Sequence, residues 1–88
     1  MLAAEGSYTR LHVVTGESHL LSGNLHKWER RLPSILFFRC HRAAVINLDH
    51  LVELRHHGTD RSAIVLGGHA VLVSRRHWPG LLAVMRSG

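Results

Sequence analysis

Acidic residues are scarce in this chain: six Asp and Glu stand against eleven Lys and Arg, a formal charge of +5 in 88 residues. The shortage excludes a surface neutralised from within and points to a polyanionic partner, because some cations have no acid to pair with. Cysteine occurs once, at Cys40. A single thiol cannot close an internal disulfide, and even beside nine histidines it is a poor match to a Cys-rich structural zinc site. A reducing, cytoplasmic setting is the expectation, with no metal and no cofactor. Long apolar runs are missing too: residues 81–85 are typical of the longest, far below the ~20 a membrane-spanning helix needs. No basic, apolar and small leader pattern opens the chain, so neither insertion nor export is expected. Hydrophobic residues still make up 45% and charged residues 19%, a balance that argues for a folded domain and against disorder. The length suffices for one core, so residues 1–88 are expected to form a single domain.

What is present is arginine. Every cation except Lys27 is arginine, whose planar fork of donors suits phosphate and the guanine edge better than the point charge of lysine. The histidines add positive charge as pH falls through ~6.5, so binding to a polyanion is expected to strengthen in acid.

Patterning predicts mostly strands. Leu11, Val13 and Val14, beside polar Thr9, Arg10 and His12, read as a strand that turns at Thr15-Gly16-Glu17 onto an antiparallel partner at residues 19–21. Ser22-Gly23-Asn24 offers a helix cap, and Leu25, Trp28 and Leu32 form one stripe of a short helix that Pro33 stops. Residues 37–47 read as one extended segment. Residues 51–56, 63–66 and 70–74 then read as a meander, with Gly58-Thr59-Asp60 as one turn and Gly67-Gly68 as a two-residue reversal. Trp78, Leu81, Leu82 and Met85 have helical spacing, with Ser74 as a candidate cap and Pro79 delaying the regular helix to about Trp78. Nothing before Glu5-Gly6-Ser7 reads as a partner strand. Trp28 and Trp78 are expected to anchor the two helices, and Asn47 to cap a turn.

The segment FFRCHRAAVIN, residues 37–47, resists a simple reading. Alternation along one strand would set Phe38, Cys40, Arg42 and Ala44 on one face and Phe37, Arg39, His41 and Ala43 on the other, so neither face is cleanly apolar. A buried, unpaired guanidinium costs several kcal/mol (of order ~3–5). No carboxylate lies within six residues of Arg42, which makes an external phosphate the economical partner for Arg39 and Arg42. The competing reading is ordinary surface arginine, its aliphatic stem covering the core.

Arg39-Cys40-His41-Arg42-Ala43, then Ile46-Asn47, then Leu51, with Gly68 and Val73-Ser74-Arg75 further on, resembles the LytTR family of bacterial DNA-binding domains. The family pattern is roughly F-x-R-x-H-R-S-x-x-V-N followed by a late G-x-x-x-P-V-S-R. Upstream, Glu5-Gly6-Ser7-Tyr8 resembles the family's acidic-Gly-Asn-Tyr turn and Gly23-Asn24-Leu25 its Ser-Leu helix start, so the likeness runs from about Ala4 to Met85. Ala43 stands in place of the usual serine and Leu72 in place of a common proline.

The resemblance implies an elongated stack of small antiparallel sheets, with one short helix in the middle and one at the C-terminus, lacking the family's first strand or two ahead of Ala4. It further implies a bacterial transcriptional regulator that is no enzyme and places loops in successive major grooves of promoter DNA, as two copies on a repeated site. An upstream receiver or sensor domain would supply the signal. Carried over by position, Tyr8, Arg42 and Arg76 would touch base edges. Ser7, Thr9, Arg10, Arg39, His41, Ser74, Arg75 and His77 would hold the backbone, and a helix start at Ser74 would add free N–H groups for a phosphate. The residues themselves bear on two other classes. Cys40, His41, Asn47 and His50 invite comparison with a His–Asn–His nuclease, but no acidic ligand pair or helix accompanies them. A basic module docking an acidic protein is the alternative to DNA, and a weak salt dependence would distinguish it.

Overall fold

The computed structural model describes residues 1–87. At its start the chain reverses over residues 6 and 7, between β1 (Leu2–Glu5) and β2 (Tyr8–His12). Gly6 takes φ +62°, which a II′ hairpin requires at its first central position and which a Cβ would resist. β1 corrects the expectation that no partner strand precedes residue 5. Four residues, two of them alanine, announce a strand poorly, yet β1 lies between β2 and β5 and is held from both sides. β3 (Ser18–Leu21) pairs with β2 as expected, but Val13 and Val14, expected on the strand, lie in the connection.

Asn24 caps α1 (Leu25–Glu29), its side chain accepting from the Lys27 N–H at 2.9 Å. The helix ends before Leu32, and the chain continues to Pro33 in tight turns.

Residues 37–47 are the larger correction. They form a hairpin, β4 (Phe37–His41) and β5 (Ala44–Asn47), that reverses at Arg42 and Ala43. Alternation therefore holds only within each arm, and Arg42 stands at a tip, not on a strand face. β5 is covered on both sides. Val45 packs with Leu2 and Leu25 towards α1, while Ala44 and Ile46 pack with Ala63, Val65, Val71 and Leu81 on the opposite side. A strand buried on both faces carries a continuous apolar run instead of an alternating one.

Asn47 accepts from the Asp49 N–H and starts a single 3-10 turn, as its sequence context indicated. The meander follows: β4 and β5 belong to a five-stranded sheet of order β3-β2-β1-β5-β4, and β6 (Leu51–His57), β7 (Asp60–Val65) and β8 (Ala70–Leu72) make a second sheet. The β7–β8 connection spans residues 66–69, longer than the expected two-residue reversal. α2 (Trp78–Ser87) begins where Pro79 permits, with the proline in its first turn. Gly80 brings this helix against β4, since a Cβ there would lie 3.2 Å from the Phe38 ring. The result is mostly β, small antiparallel sheets with a short middle helix and a C-terminal one, in a body of 33 × 25 × 24 Å.

Candidate nucleic-acid interface

Two backbone hydrogen bonds outside the regular ladders set the site. The Ala4 N–H donates to the Ala43 carbonyl at 2.8 Å, which lays the β1–β2 turn beside the β4–β5 turn. The Ser74 N–H donates to the Cys40 carbonyl at 2.9 Å, which brings the chain between β8 and α2 to the same hairpin. A bulge makes the second bond available: β4 and β5 pair at Arg39 with Val45 and next at His41 with Ala44, leaving Cys40 as the extra residue. Bulged residues lose their ladder partners and turn their polar groups elsewhere. The three turns that the sequence singled out thus share one edge.

Arg42, Arg75 and Arg76 are exposed on that edge, and among the described residues no acid pairs with any of them. Ser7 is exposed beside Tyr8, a residue that is 49% accessible. The His41 Nδ1 accepts from the Ala43 N–H at 3.1 Å, so in the neutral ring the proton sits on Nε2, free to donate outward. The Ser74 hydroxyl lies 2.5 Å from His77 Nδ1, which orients that ring. Burial holds His77 below the usual histidine range, and the nearby Arg76 and Arg39 guanidinium groups press the same way.

Four sequence expectations change. Thr9 is fully buried and its hydroxyl donates to the Gly23 carbonyl at 2.9 Å, so it joins the sheet to the approach of α1 and cannot reach a phosphate. Arg10 is held by Glu5 at 2.6 Å across the first hairpin, with a longer bond to the Ser18 hydroxyl. Arg39 pairs with Glu29 at 2.6 Å and donates to the carbonyls of His41 and Arg42 at 2.8 and 2.5 Å. All three of its nitrogens are engaged within the chain, so it braces the Arg42 turn. The Ser74 carbonyl receives the His77 and Trp78 N–H groups, so these are not open to a phosphate.

Sequence reasoning missed both counter-ions. Glu5 was legible in principle: pairing Ala3 with Arg10 sets Glu5 one diagonal away on the same face. Glu29 had no local signal, since ten residues, a turn and two element types separate it from Arg39. Cys40 is fully buried, and burial pushes its thiol up to about 11, which fits a core residue instead of a reactive thiol. Among the described residues no three His, Cys, Asp or Glu side chains gather into a metal-binding group.

Three comparisons bear on this edge. A solved LytTr DNA-binding domain, from a Bacillus cereus protein described as a methyl-accepting/DNA response regulator, superposes with a TM-score of 0.81 at 21% identity, covering 96% of this chain and 77% of that one. At that identity it establishes the fold. The sensory transduction protein LytR of Staphylococcus epidermidis is 36% identical over 42 residues, 48% of this chain and 17% of that protein's length. The family model for the LytTr DNA-binding domain matches residues 1–86, nearly the whole chain, and this chain accordingly belongs to the LytTR family of DNA-binding domains.

Proposed function

We propose that the three-turn edge enters successive major grooves of promoter DNA and reads its sequence, so that the chain serves a bacterial transcriptional regulator in the cytoplasm. Arg42 and Arg76 each offer two parallel hydrogen bonds to guanine O6 and N7, and Tyr8 makes the third base contact. Ser7, His41, Ser74, Arg75 and His77 lie beside them and hold phosphates, which fixes register without selecting sequence. Arg10 and Arg39 act one step back as positioning residues. Two copies bind a repeated site, and an upstream receiver or sensor domain supplies the signal, in keeping with the sensory-transduction role in the name of the staphylococcal relative.

The observation that supports this reading best is charge without counter-charge. Glu5, Glu29 and Glu53 are engaged by Arg10, Arg39 and Arg55, whereas Arg42, Arg75 and Arg76 present guanidinium groups that no acid among the described residues engages. The test is selection from a random duplex pool followed by gel shift. Wild type should enrich one motif and Arg42→Ala a motif relaxed at one base pair. Equal enrichment of the same motif with equal affinity would remove Arg42 from base reading. A wild-type domain with no sequence preference and a shallow salt dependence would point to an acidic protein partner instead.

A further inference from the structure

The edge does not stop at the turns. Glu29, the last residue of α1, reaches inward to Arg39, which in turn holds the Arg42 carbonyl, so the C-terminal end of α1 abuts the β4–β5 turn. Apart from Glu29, the exposed side chains of α1 and of the two residues after it are basic. His26, Lys27, Arg30 and Arg31 are exposed and border one common depression with Asn24. Lys27 stands three and four residues before Arg30 and Arg31, the spacing at which like charges on a helical turn repel. The one acid of the helix pairs with Arg39 at 2.6 Å and lies 3.9 Å from His26 Nδ1, and among the described residues no acid pairs with Lys27, Arg30 or Arg31, of which Arg31 stacks 5.4 Å from the Trp28 ring centre. A five-residue helix has little stability of its own with which to absorb such repulsion. An external polyanion relieves it.

We infer that Lys27, Arg30 and Arg31 form a second phosphate-binding strip that grips the duplex backbone flanking the segment read by the turns. The inference rests on the DNA-binding reading above and extends its footprint. Glu29 and Arg39 tie this end of α1 to the Arg42 turn, which brings the strip and the turn within reach of one duplex without a change of fold. It carries no base-reading geometry: its residues lie on the last turn of α1 and just after it and meet backbone, adding affinity that is uniform across sequences.

The test is a salt titration of the wild type and of a Lys27→Gln/Arg30→Gln variant on the selected duplex. That variant leaves the Arg31–Trp28 stack intact, and circular dichroism checks its fold. Each lost phosphate contact lowers the slope of log K against log salt by ~0.9, so the double change should lower it by about 1.8. Between ~50 and ~200 mM salt the variant's affinity should then fall roughly tenfold less than wild type's, with the enriched motif unchanged. Shortening the flanking duplex should weaken wild type and leave the variant unaffected. A wild-type slope and flank dependence in the folded variant, with site selection retained, overturns the strip alone. Failure of the wild type to bind any duplex overturns both the strip and the base-reading edge.

Discussion

The β6–β7 hairpin and the three-turn edge carry the same kinds of residue to opposite ends. On the hairpin, Arg55 meets Glu53 at 3.1 Å along one exposed strand, and Arg61 donates to the Thr59 carbonyl at 3.4 Å. On the edge, Arg10 and Arg39 are matched by Glu5 and Glu29, but Arg42, Arg75 and Arg76 are matched by nothing among the described residues. An arginine is thus no indicator of a binding surface by itself. What marks the edge is a cluster of exposed guanidinium groups without an acid partner among the described residues, leaving their donors for an outside anion.

The contrast is sharpest between Arg39 and Arg42, three residues apart. Removing the first should break the frame. Arg39→Ala loses a charge-assisted bond and two carbonyl bonds and strands Glu29, so it should cost about 2–3 kcal/mol of stability in urea denaturation and weaken every duplex alike. A denaturation midpoint equal to wild type would mean that the backbone bonds alone hold the edge. Arg42→Ala and Arg76→Ala should instead leave stability within ~0.5 kcal/mol and remove about 1–3 kcal/mol of discrimination at one base pair each, read by competition gel shift with single-base variants. Arg55→Ala is the control from the hairpin. It breaks an exposed pair, so stability should change by less than ~1 kcal/mol and duplex affinity should not move; a loss comparable to Arg42→Ala would extend the interface to the second sheet.

The smallest effect is that of pH. His77 holds a proton less readily in the folded chain than in the unfolded one, where ~6.5 is usual. The unfolded state therefore binds more protons as pH drops below ~6.5, so stability should decline there and the decline should be complete below the folded value. His77→Gln should remove this part of the decline. A part of the same sign should persist from His12, which burial and the neighbouring His69 hold below the usual range. Duplex affinity should move the other way, because a phosphate near His77 favours the charged ring. An affinity that falls between pH 7 and 6, at roughly constant stability, would place His77 away from the backbone.

Elements written by local chemistry were legible. Asn24 before Leu25 signals a cap because its side chain reaches an N–H only three residues on. Pro79 dates the start of α2 because its ring forbids an earlier one. The meander shows through its glycine-bearing connections. The hairpin within residues 37–47 did not show, because Arg42 and Ala43 reverse the chain without glycine, and no non-glycine residue here takes positive φ. The bulge at Cys40 provides the accommodation, and bulges have no composition of their own. Thr9 looked like a surface donor because nothing local says that the Gly23 carbonyl will meet it fourteen residues later.

The sequence by itself determined the excess of arginine over acid, the positions of the glycine turns and caps, and motifs ordered along the chain closely enough to name a family. Only the tertiary structure decided which arginines are available. That depends on bonds between residues distant in sequence: Glu29 with Arg39, Ala4 with Ala43, Cys40 with Ser74. A carboxylate neutralises the cation it touches in space, and a carbonyl freed by a bulge binds whichever chain passes it, so local propensity fixes the elements while packing assigns their charges.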